Sequence, residues 1–526
     1  MTRTHADTIG DETAFRFLLD GEDDEFVYTH ADLDRQARAL AARLAQEGEW
    51  QDRVVILMAP GPSFLVAFFA CLYSGRIAVP AFLPDVTNAE RSVPRLRAIA
   101  QDAEAVCILT DSLFVAFREQ LWGIAPDLAR TPWLVVDDEL AGADDGAWSD
   151  EGVTGDTVAF IQYTSGSTSV PKGVVLTHSN LLANSELISS NVGVADRDVW
   201  VSWLPPYHDM GLIGGILQPL YRGGSGVLMS PMDFLAKPRR WLQAITKYRA
   251  TASPSPNFAF ELCVRRIPPE EREGLDLSSW RRAFNGAEPV RPSTLERFDE
   301  AFGPYGWRPQ TMLPCYGMAE ATLFVSGHRS DDPPVVTPFD RDRLAVGVAV
   351  APTSGSPVER LVACGPAEPL HEIRIVDPDS FADVEDGRLG EIWLSGPSVG
   401  QGYWGRRRQT EETFRAHTAT GEGPYLRTGD LGFLLDGELY VAGRIKDVII
   451  VRGRNIYPQD IELLVESVDG VRAGCIAAFS VTDDDGATEG LGIVAEVKPG
   501  ADLDAVASAI RPWSPTSTRS HRVRFR

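Results

Sequence analysis

The sequence has few cysteines, and no two of them stand at a short spacing. Six cysteines occupy positions 71, 107, 263, 315, 364 and 475 of 526 residues, without a Cys-x-x-Cys motif. Disulfide frameworks and structural zinc sites show cysteines in close, repeated spacings. The scattered thiols therefore argue against both and predict a protein of a reducing compartment.

Long apolar runs are also missing. The N-terminus, MTRTHADTIGDE, has no apolar core of the kind that a secretory signal needs. The most apolar run, Phe64–Tyr73, is too short to cross a bilayer, because a spanning helix takes about 20 apolar residues. This run predicts a buried core helix, and we expect a cytoplasmic protein without membrane insertion.

Positive charge is scarce relative to negative charge. The chain carries 50 Lys and Arg against 74 Asp and Glu, which gives a formal net charge of −24. Such an acidic protein is not expected to bind nucleic acid or an anionic membrane. An anionic substrate such as ATP would need a local group of cations or a metal ion.

What the sequence contains is an alternation of strand-like and helix-like segments. Between positions 26 and 136, β-prone runs such as Arg53–Met58 and Ile77–Phe82 alternate with helical patterns such as Arg91–Asp102. Alternating strands and helices predict an α/β fold with a parallel, doubly wound sheet. The length allows two or more domains with large cores.

The stretch Ala159–His178 is the one around which the chain is organised. An apolar strand, Ala159–Tyr163, leads into a Gly/Ser/Thr-rich loop that ends at Lys172, and a second short strand follows at Val174–Leu176. Ser179 is expected to cap the next helix. Because glycines let N–H groups approach an anion, hydroxyls add donors and lysine supplies charge, the loop predicts phosphate binding.

The alternative is an ordinary flexible turn, and the loop is not a Walker A motif. Walker A would need Gly-Lys-Ser/Thr where Pro171-Lys172-Gly173 stands. A bound nucleotide would therefore be held outside the manner of the P-loop NTPases.

The loop Tyr163-Thr-Ser-Gly-Ser-Thr168, followed by Pro171-Lys172-Gly173, resembles the phosphate-loop signature of the adenylate-forming superfamily. That superfamily includes acyl-CoA synthetases, luciferases and the adenylation domains of peptide synthetases. The resemblance implies a large N-terminal AMP-binding domain of doubly wound sheets plus a small distorted β-barrel, and a small α+β C-terminal domain. The two domains are expected to span residues 1–443 and 444–526.

The resemblance also implies roles for particular residues. The residues implied to hold the phosphates of ATP are Thr164, Ser165, Gly166, Ser167, Thr168 and Lys172. Those implied to contact adenine are Asn285, Gly286, Ala287 and Glu288 of RAFNGAE, and Tyr316, Gly317 and Met318 of LPCYGMAEAT. Standing alone, RAFNGAE would be a plain Asn-Gly turn.

Further implied roles concern the reacting groups, the metal and the sugar. His208 of PPYHDMG would lie near the carboxylate and the α-phosphate; the alternative is a loop histidine satisfied by the backbone. Glu320, with Thr168, would bind Mg²⁺, which takes one or two carboxylates plus phosphate oxygens. The alternative is that Glu320 is a solvated residue that caps the start of a helix. The implied ribose ligands are Asp430 and Arg444, and the implied hinge is Lys446.

Within the superfamily the chain is most similar to the fatty acyl-AMP ligases. The segments that carry this likeness are PPYHDMGLIGG, GPSVGQGYWG and GRNIYPQDIE. Ser330–Leu361 is irregular and stands where those ligases carry an insertion, which is thought to restrain the movement that would admit CoA. The alternative is a long surface loop.

The C-terminus departs from the family pattern, which runs on to a Gly-Lys motif whose lysine reaches the active site. Here the last lysine is Lys498, and Arg511–Arg526 holds five arginines and no acidic residue. We expect a C-terminal domain that is incomplete, by a truncation or frameshift near Ile510, and poor adenylation as a consequence. The alternative is a natural basic tail.

The function that the resemblance implies is ATP-dependent, Mg²⁺-dependent activation of a fatty acid to acyl-AMP, with release of pyrophosphate. The acyl group would pass to the phosphopantetheine arm of an acyl carrier protein. The alternatives are an acyl-CoA synthetase of the same fold and a catalytically impaired binder of nucleotide or acyl-AMP.

Overall fold

The computed structural model describes residues 1–85, 89–140, 145–150, 152–164, 171–193, 197–328, 332–366, 370–447, 449–451, 454–482, 489–510 and 523–525. Its strands are β1 Thr13–Leu18, β2 Glu25–Thr29, β3 Arg53–Ile56, β4 Ile77–Pro80, β5 Cys107–Thr110, β6 Trp133–Val135, β7 Val158–Thr164, β8 Lys172–Thr177, β9 Val199–Ser202, β10 Ser225–Met229, β11 Ala252–Ser255, β12 Arg282–Asn285, β13 Met312–Gly317, β14 Phe324–Gly327, β15 Val336–Asp340, β16 Val358–Val362, β17 Glu372–Val376, β18 Gly390–Ser395, β19 Gly402–Tyr403, β20 Leu426–Leu435, β21 Glu438–Arg444, β22 Ile449–Val451, β23 Arg454–Ile456, β24 Val471–Thr482, β25 Glu489–Val497 and β26 Val523–Phe525.

The α-helices are α1 Thr2–Ile9, α2 His30–Leu44, α3 Pro62–Tyr73, α4 Ala89–Asp102, α5 Arg118–Ile124, α6 Val136–Leu140, α7 His178–Val192, α8 Gln218–Tyr221, α9 Pro231–Ala236, α10 Arg239–Lys247, α11 Asn257–Arg266, α12 Pro292–Phe302, α13 Arg341–Leu344, α14 Arg407–Phe414, α15 Pro458–Glu466 and α16 Leu503–Ile510. A π-helix spans Met210–Leu217. Helix α3 is the apolar run of the sequence, and its residues 64–72 are buried. Among the described residues, no helix has both the length and the apolar character needed to cross a membrane.

Two large mixed sheets form the centre of the fold. The eight-stranded sheet has the order β14-β13-β12-β11-β9-β10-β1-β2, and the seven-stranded sheet has the order β19-β8-β7-β4-β3-β5-β6. The inner strands run parallel, and the antiparallel strands lie at the edges. The predicted α/β class with parallel sheets is confirmed, but the alternation seen early in the sequence feeds both sheets, since β1 and β2 belong to one and β3–β6 to the other.

The predicted phosphate loop connects the two strands of a hairpin. Strands β7 and β8 pair antiparallel, and Thr164 lies opposite Lys172 at the loop end of the pair. Residues 165–170, which include Ser165, Gly166, Ser167 and Thr168, lie outside the described residues. The pairing therefore places the two described residues of the predicted phosphate site side by side.

The helix after this hairpin is capped by a different residue from the one predicted. The side chain of Thr177 accepts a hydrogen bond from the backbone N–H of Asn180, and the Asn180 side chain accepts one from Thr177 in return. Ser179 lies inside the first turn. The prediction was wrong because a hydroxyl can cap only where the backbone is still extended, and that position is Thr177.

The predicted small barrel is an open sheet. Strands β17, β18, β20 and β21 pair antiparallel in the order β17-β18-β20-β21, and within the described ranges the first and last of them are not paired to each other. The expectation of a distorted β-barrel is therefore not confirmed.

Residues 332–361 are more regular than predicted. The expected irregular insertion contains the antiparallel pair β15 and β16 with the short helix α13 between them. Phe339 packs edge-on against Phe433 and Tyr440, with ring centroids 5.4 Å apart in both cases. A Pro- and Gly-rich stretch can thus hold strands when its few aromatic side chains reach a neighbouring sheet.

The C-terminal elements form a small core of their own. Helices α15 and α16 pack on β24 and β25 through Ile461, Val465, Ile493 and Val506. Glu466 also lies 3.9 Å from Arg265 and 3.6 Å from Arg291, which belong to the larger part of the chain. Residues 511–522, where the basic tail begins, lie outside the described residues, so the expectation of a truncation stays a prediction.

Asn180 joins helix α7 to the connector around residue 400, and this link is testable. Its side-chain amide donates to the carbonyl oxygens of Pro397 at 2.9 Å and Val399 at 3.0 Å. Asn180→Ala is expected to cost about 1–3 kcal/mol, since it leaves two carbonyls without these donors. The measurement is the thermal unfolding midpoint.

Thr29→Ala, which removes a cap without a long-range link, is the control and is expected to cost about 1 kcal/mol. An Asn180→Ala midpoint no lower than that of the control would contradict the prediction.

Candidate active site

A cavity of about 820 Å³ lies where strands of both large sheets end. Its wall includes Thr164 at the end of β7, Gly286 just after β12, and Gly317 at the end of β13. In open α/β sheets, ligands bind in the crevice beyond the carboxyl ends of the strands. The position of the cavity therefore follows from the sheet topology.

Lys172 and Glu320 are held together by a tyrosine to which the sequence analysis assigned no role. The Tyr403 hydroxyl donates to Oε1 of Glu320 at 2.8 Å, and the Lys172 ammonium lies 4.9 Å from the centre of the Tyr403 ring. Strand β19 pairs with β8, which brings Tyr403 beside Lys172. The backbone oxygen of Glu320 also accepts from Gly400 N–H at 2.8 Å.

Burial shifts the pKa values of this pair in opposite directions. Burial raises the pKa of Glu320, and the nearby charges of Asp209 and Asp430 add to that rise, while the Tyr403 hydrogen bond opposes it. Burial lowers the pKa of Lys172, and Lys446 lowers it further. Both shifts are those expected of charged groups withdrawn from water, and strongly shifted groups in a cleft are typical of functional sites.

Asp430 lies at the opposite side of the same cluster. Its Oδ2 accepts a hydrogen bond of 2.7 Å from the Tyr316 hydroxyl, and its Oδ1 lies 3.3 Å from Nε of Arg444. Strands β20 and β21 pair so that Asp430 stands directly opposite Arg444. Burial raises the pKa of Asp430, whereas Tyr316 and Arg444 lower it.

His208 forms part of the wall together with Asp209. The Nδ1 atom of His208 lies 2.7 Å from Oδ1 of Asp209, and the backbone N–H of Met210 donates to the same carboxylate at 2.7 Å. Burial alone would lower the pKa of His208, but the hydrogen bond and charge of Asp209 outweigh it, so the pKa is raised. A carboxylate at this distance favours the protonated form of the imidazole.

The predicted adenine segment only partly reaches the cavity. Gly286 and Ala287 line it, and Ala287 takes a positive φ of 65°. The Asn285 side chain is fully buried, and its amide points to Sδ of Met312 at 3.6 Å. Glu288 does not line the cavity, and its carboxylate accepts from the backbone N–H of Phe258.

Part of the cavity lining is apolar. The apolar side chains that line it are Phe82, Ile99, Ile188, Trp200, Met210, Pro254, Phe284, Leu323 and Phe324. The Trp200 and Phe284 rings stack at 5.5 Å with 18° between their planes, and Trp200 is only 1% exposed. This stacked pair is a buried part of the apolar lining.

The structure thus brings most of the predicted site residues to one place. Those that line the cavity are Thr164, Lys172, His208, Gly286, Ala287, Tyr316, Gly317, Met318, Glu320, Arg444 and Lys446. Asp430 stands directly behind Tyr316. Asn285 and Glu288 are not brought to the cavity by their side chains. The lining carries five Lys and Arg side chains and five Asp and Glu side chains, so positive charge for an anionic ligand comes from individual cations such as Lys172 and not from a net positive wall.

Several residues of the site were missed by the sequence analysis. They are Tyr403, Asp209, Glu391, Arg427, Thr428 and Gly429. Asp209 stands in PPYHDMG and Tyr403 in GPSVGQGYWG, and residues 427–429 directly precede the predicted ribose ligand Asp430, so a signal was present for them. Glu391 had no such signal, because only the folded sheet places it beside those residues.

Comparisons with known proteins show what this chain is similar to. Residues 2–404 match the family described as AMP-binding enzyme. The chain is 44% identical over 474 residues to the medium-chain-fatty-acid–[acyl-carrier-protein] ligase JamA of Moorena producens, covering 89% of this chain and 80% of JamA. It is 38% identical over 548 residues to the long-chain-fatty-acid–AMP ligase FadD32 of Mycolicibacterium smegmatis, covering 95% of this chain and 86% of FadD32.

A solved structure extends the likeness to the fold. A fatty acyl-adenylate ligase from L. pneumophila, in complex with acyl adenylate and pyrophosphate, superposes with a TM-score of 0.80 at 37% identity, over 97% of this chain and 88% of that one. Together with the family match over most of the chain, these relatives establish that the chain belongs to the AMP-binding enzyme family and, within it, to the fatty acyl-AMP ligases of the adenylate-forming superfamily.

Proposed function

We propose that this protein activates a fatty acid with ATP to an acyl-adenylate and transfers the acyl group to the phosphopantetheine thiol of an acyl carrier protein. The observation that carries the proposal is a single cavity whose lining contains both the apolar pair Trp200 and Phe284 and the charged side chains of Lys172, Glu320 and Arg444. A molecule with a hydrocarbon tail and a phosphorylated head has this same division. The name of JamA supports a carrier protein as acceptor.

In the first step, a carboxylate oxygen of the fatty acid attacks the α-phosphorus of ATP. The bond from that phosphorus to the oxygen bridging to the β-phosphate breaks, and pyrophosphate leaves with the electron pair. Thr164 and Lys172 would hold phosphate oxygens, and His208, paired with Asp209, would lie near the carboxylate. Such catalysis works by positioning and by stabilising charge.

The adenosine half of ATP is assigned to the other side of the cavity. Gly286, Ala287 and Tyr316 would hold adenine, with Gly317 and Met318 as neighbours. Asp430 would accept hydrogen bonds from the ribose hydroxyls, and Arg444 would stand beside it. In the second step the thiol sulfur attacks the acyl carbonyl, a thioester forms, and AMP leaves.

Mg²⁺ fits the residues that are present. The described residues contain no group of three His, Cys, Asp or Glu side chains that could enclose a metal by themselves. Mg²⁺ bound to nucleotide needs only one or two carboxylates, because phosphates and waters complete its shell. Glu320, whose burial raises its pKa, offers one such carboxylate, and the ion would neutralise charge on the phosphates.

We also propose a division into domains at residues 443 and 444. Arg444 to Asp447 line the cavity at the point where the chain leaves β21, and the small core of α15, α16, β24 and β25 follows. Lys446 would be the hinge about which residues 444–526 turn between the two steps.

The proposal is tested by incubating the protein with dodecanoic acid and MgATP and detecting acyl-AMP and pyrophosphate by mass spectrometry. Three acceptor arms follow: holo acyl carrier protein, CoA and no acceptor. We expect acyl-AMP in all arms and an acylated carrier in the first. Acylation of CoA instead would assign the protein to the acyl-CoA synthetases, and nucleotide binding without acyl-AMP would make it a binder.

The acid side of the pH profile provides a second test. Glu320 is expected to act in its ionised form, so that adenylation falls as pH falls through its raised pKa. Tyr403→Phe removes a donor to the ionised carboxylate and raises that pKa further. We expect the acid limb of kcat/KM for ATP to move up by about one pH unit.

Tyr73→Phe is the matched control, because Tyr73 also donates to a carboxylate, Asp34, but does not line the cavity. Its profile should coincide with that of the wild type. An unshifted acid limb in Tyr403→Phe would contradict the role given to Glu320.

The apolar wall predicts a limit on chain length. Trp200→Leu should deepen the acyl pocket, because the stacked indole closes its end against Phe284. We expect the ratio of kcat/KM for hexadecanoic over decanoic acid to rise about tenfold, since buried methylene groups discriminate on this scale. Trp241→Leu, at a fully buried tryptophan outside the cavity, should leave the ratio unchanged. An unchanged ratio in Trp200→Leu would assign the end of the pocket elsewhere.

A further inference from the structure

The strand that carries Asp430 has an irregularity beside the cavity. Strands β18 and β20 pair Glu391 with Leu431 and, after a change of register, Trp393 with Arg427. Residues 428–430 therefore stand opposite the single residue Ile392. A bulge of this kind bends a strand and redirects a side chain, and bulges are frequent next to active sites. Here the redirected side chain is that of Asp430.

One buried carboxylate holds this bulge from the neighbouring strand. Glu391 is 2% exposed, and its Oε2 accepts from Arg427 through Nε at 3.0 Å and Nη2 at 2.8 Å. Its Oε1 accepts from the backbone N–H of Gly429 at 3.1 Å, and Oε2 also accepts from the Trp393 indole at 2.9 Å. Gly429, with a φ of 73°, is the residue at which the bulge turns.

The other contacts of the bulge converge on Asp430. The Thr428 hydroxyl donates to the Ile392 carbonyl at 2.6 Å and accepts from the backbone N–H of Asp430 at 3.0 Å. The carbonyl of Gly429 accepts from Ile445 N–H at 2.9 Å, which fixes the bulge on its second side. The Asp430 carboxylate therefore has its direction set by backbone that Glu391 anchors.

We propose that Glu391 is a positioning residue for nucleotide selection: it holds the bulge at residues 428–430 so that Asp430 meets the hydroxyls of the ribose. The inference rests on the proposed function, in which Asp430 binds ribose. Loss of a residue with this role should change recognition of the sugar alone. Loss of a residue needed only for folding would lower the activity with every nucleotide equally.

The test compares ATP with 2′-deoxyATP and 3′-deoxyATP as substrates for adenylation of dodecanoic acid. Glu391→Gln keeps the shape but turns an acceptor oxygen into an NH₂ group that faces N–H donors. We expect the preference of kcat/KM for ATP over the deoxy analogue to fall about tenfold, mainly through a higher KM for ATP. Asp430→Asn should lose the preference as well, and the double variant should lose little more.

Three further variants separate positioning from general damage. Glu391→Asp keeps the charge and should recover part of the preference. Thr428→Val, an isosteric change on the other side of the bulge, should lower the preference and remains informative if Glu391→Gln fails to fold. Asp198→Asn is the matched control, because Asp198 is a buried partner of Arg282, 3.4 Å away, in a pair that does not line the cavity. It should keep the wild-type preference.

The outcomes distinguish this inference from the proposed function. If wild-type protein prefers ATP and Asp430→Asn loses that preference, while Glu391→Gln and Thr428→Val keep it, the positioning role is overturned and the proposed function stands. If wild-type protein forms acyl-AMP equally well from all three nucleotides, the ribose assignment fails and the inference fails with it. If no acyl-AMP forms from any nucleotide, the proposed function itself fails.

Discussion

The interaction on which the site depends is a hydrogen bond from a tyrosine hydroxyl to a buried carboxylate, and it occurs twice at this cavity. Tyr403 donates to Glu320, and Tyr316 donates to Asp430. Removing a carboxylate from water costs several kcal/mol, so such a group is retained only where donors or cations offset the loss. In both cases the phenol offsets part of the cost, and burial still raises the pKa of the carboxylate. The part of this cost that remains can be offset by a ligand that brings positive charge or hydrogen-bond donors to the carboxylate.

These tyrosine–carboxylate pairs also connect separate parts of the chain. Tyr403 lies on the short strand β19 at the edge of the seven-stranded sheet, while Glu320 follows β13 of the eight-stranded sheet. Tyr316 lies on β13, while Asp430 lies on β20 of the four-stranded sheet. The first hydrogen bond therefore links the seven-stranded sheet to the eight-stranded sheet, and the second links the eight-stranded sheet to the four-stranded sheet. The cavity exists because the three sheets meet with their charged residues on a common side.

A second buried network supports the hairpin of the phosphate loop from behind. The Tyr163 hydroxyl donates to Asp102 at 2.8 Å, and Arg406 donates to the other oxygen of the same carboxylate at 2.6 Å. Strand β7, helix α4 and the segment after β19 are thereby joined at one point. The hairpin that presents Thr164 and Lys172 is thus fixed by Asp102 and Arg406, which do not line the cavity.

The sequence alone was sufficient for the α/β class, the two strands that flank the phosphate loop and the family, because these depend on local periodicity and on contiguous motifs. It was also sufficient to name Lys172, Glu320 and Asp430 as candidates, since each stands in a recognisable run of residues. Tertiary structure alone decided which distant residues join them: Tyr403 and Glu391 contact the site through strand pairing, and spacing along the chain carries no information about strand neighbours. Tertiary structure also decided the direction of the Asn285 side chain, because the packing of β12 against β13 turns it away from the cavity. It decided as well that the small sheet is open and not a barrel, since the pairing of edge strands is set by long-range register.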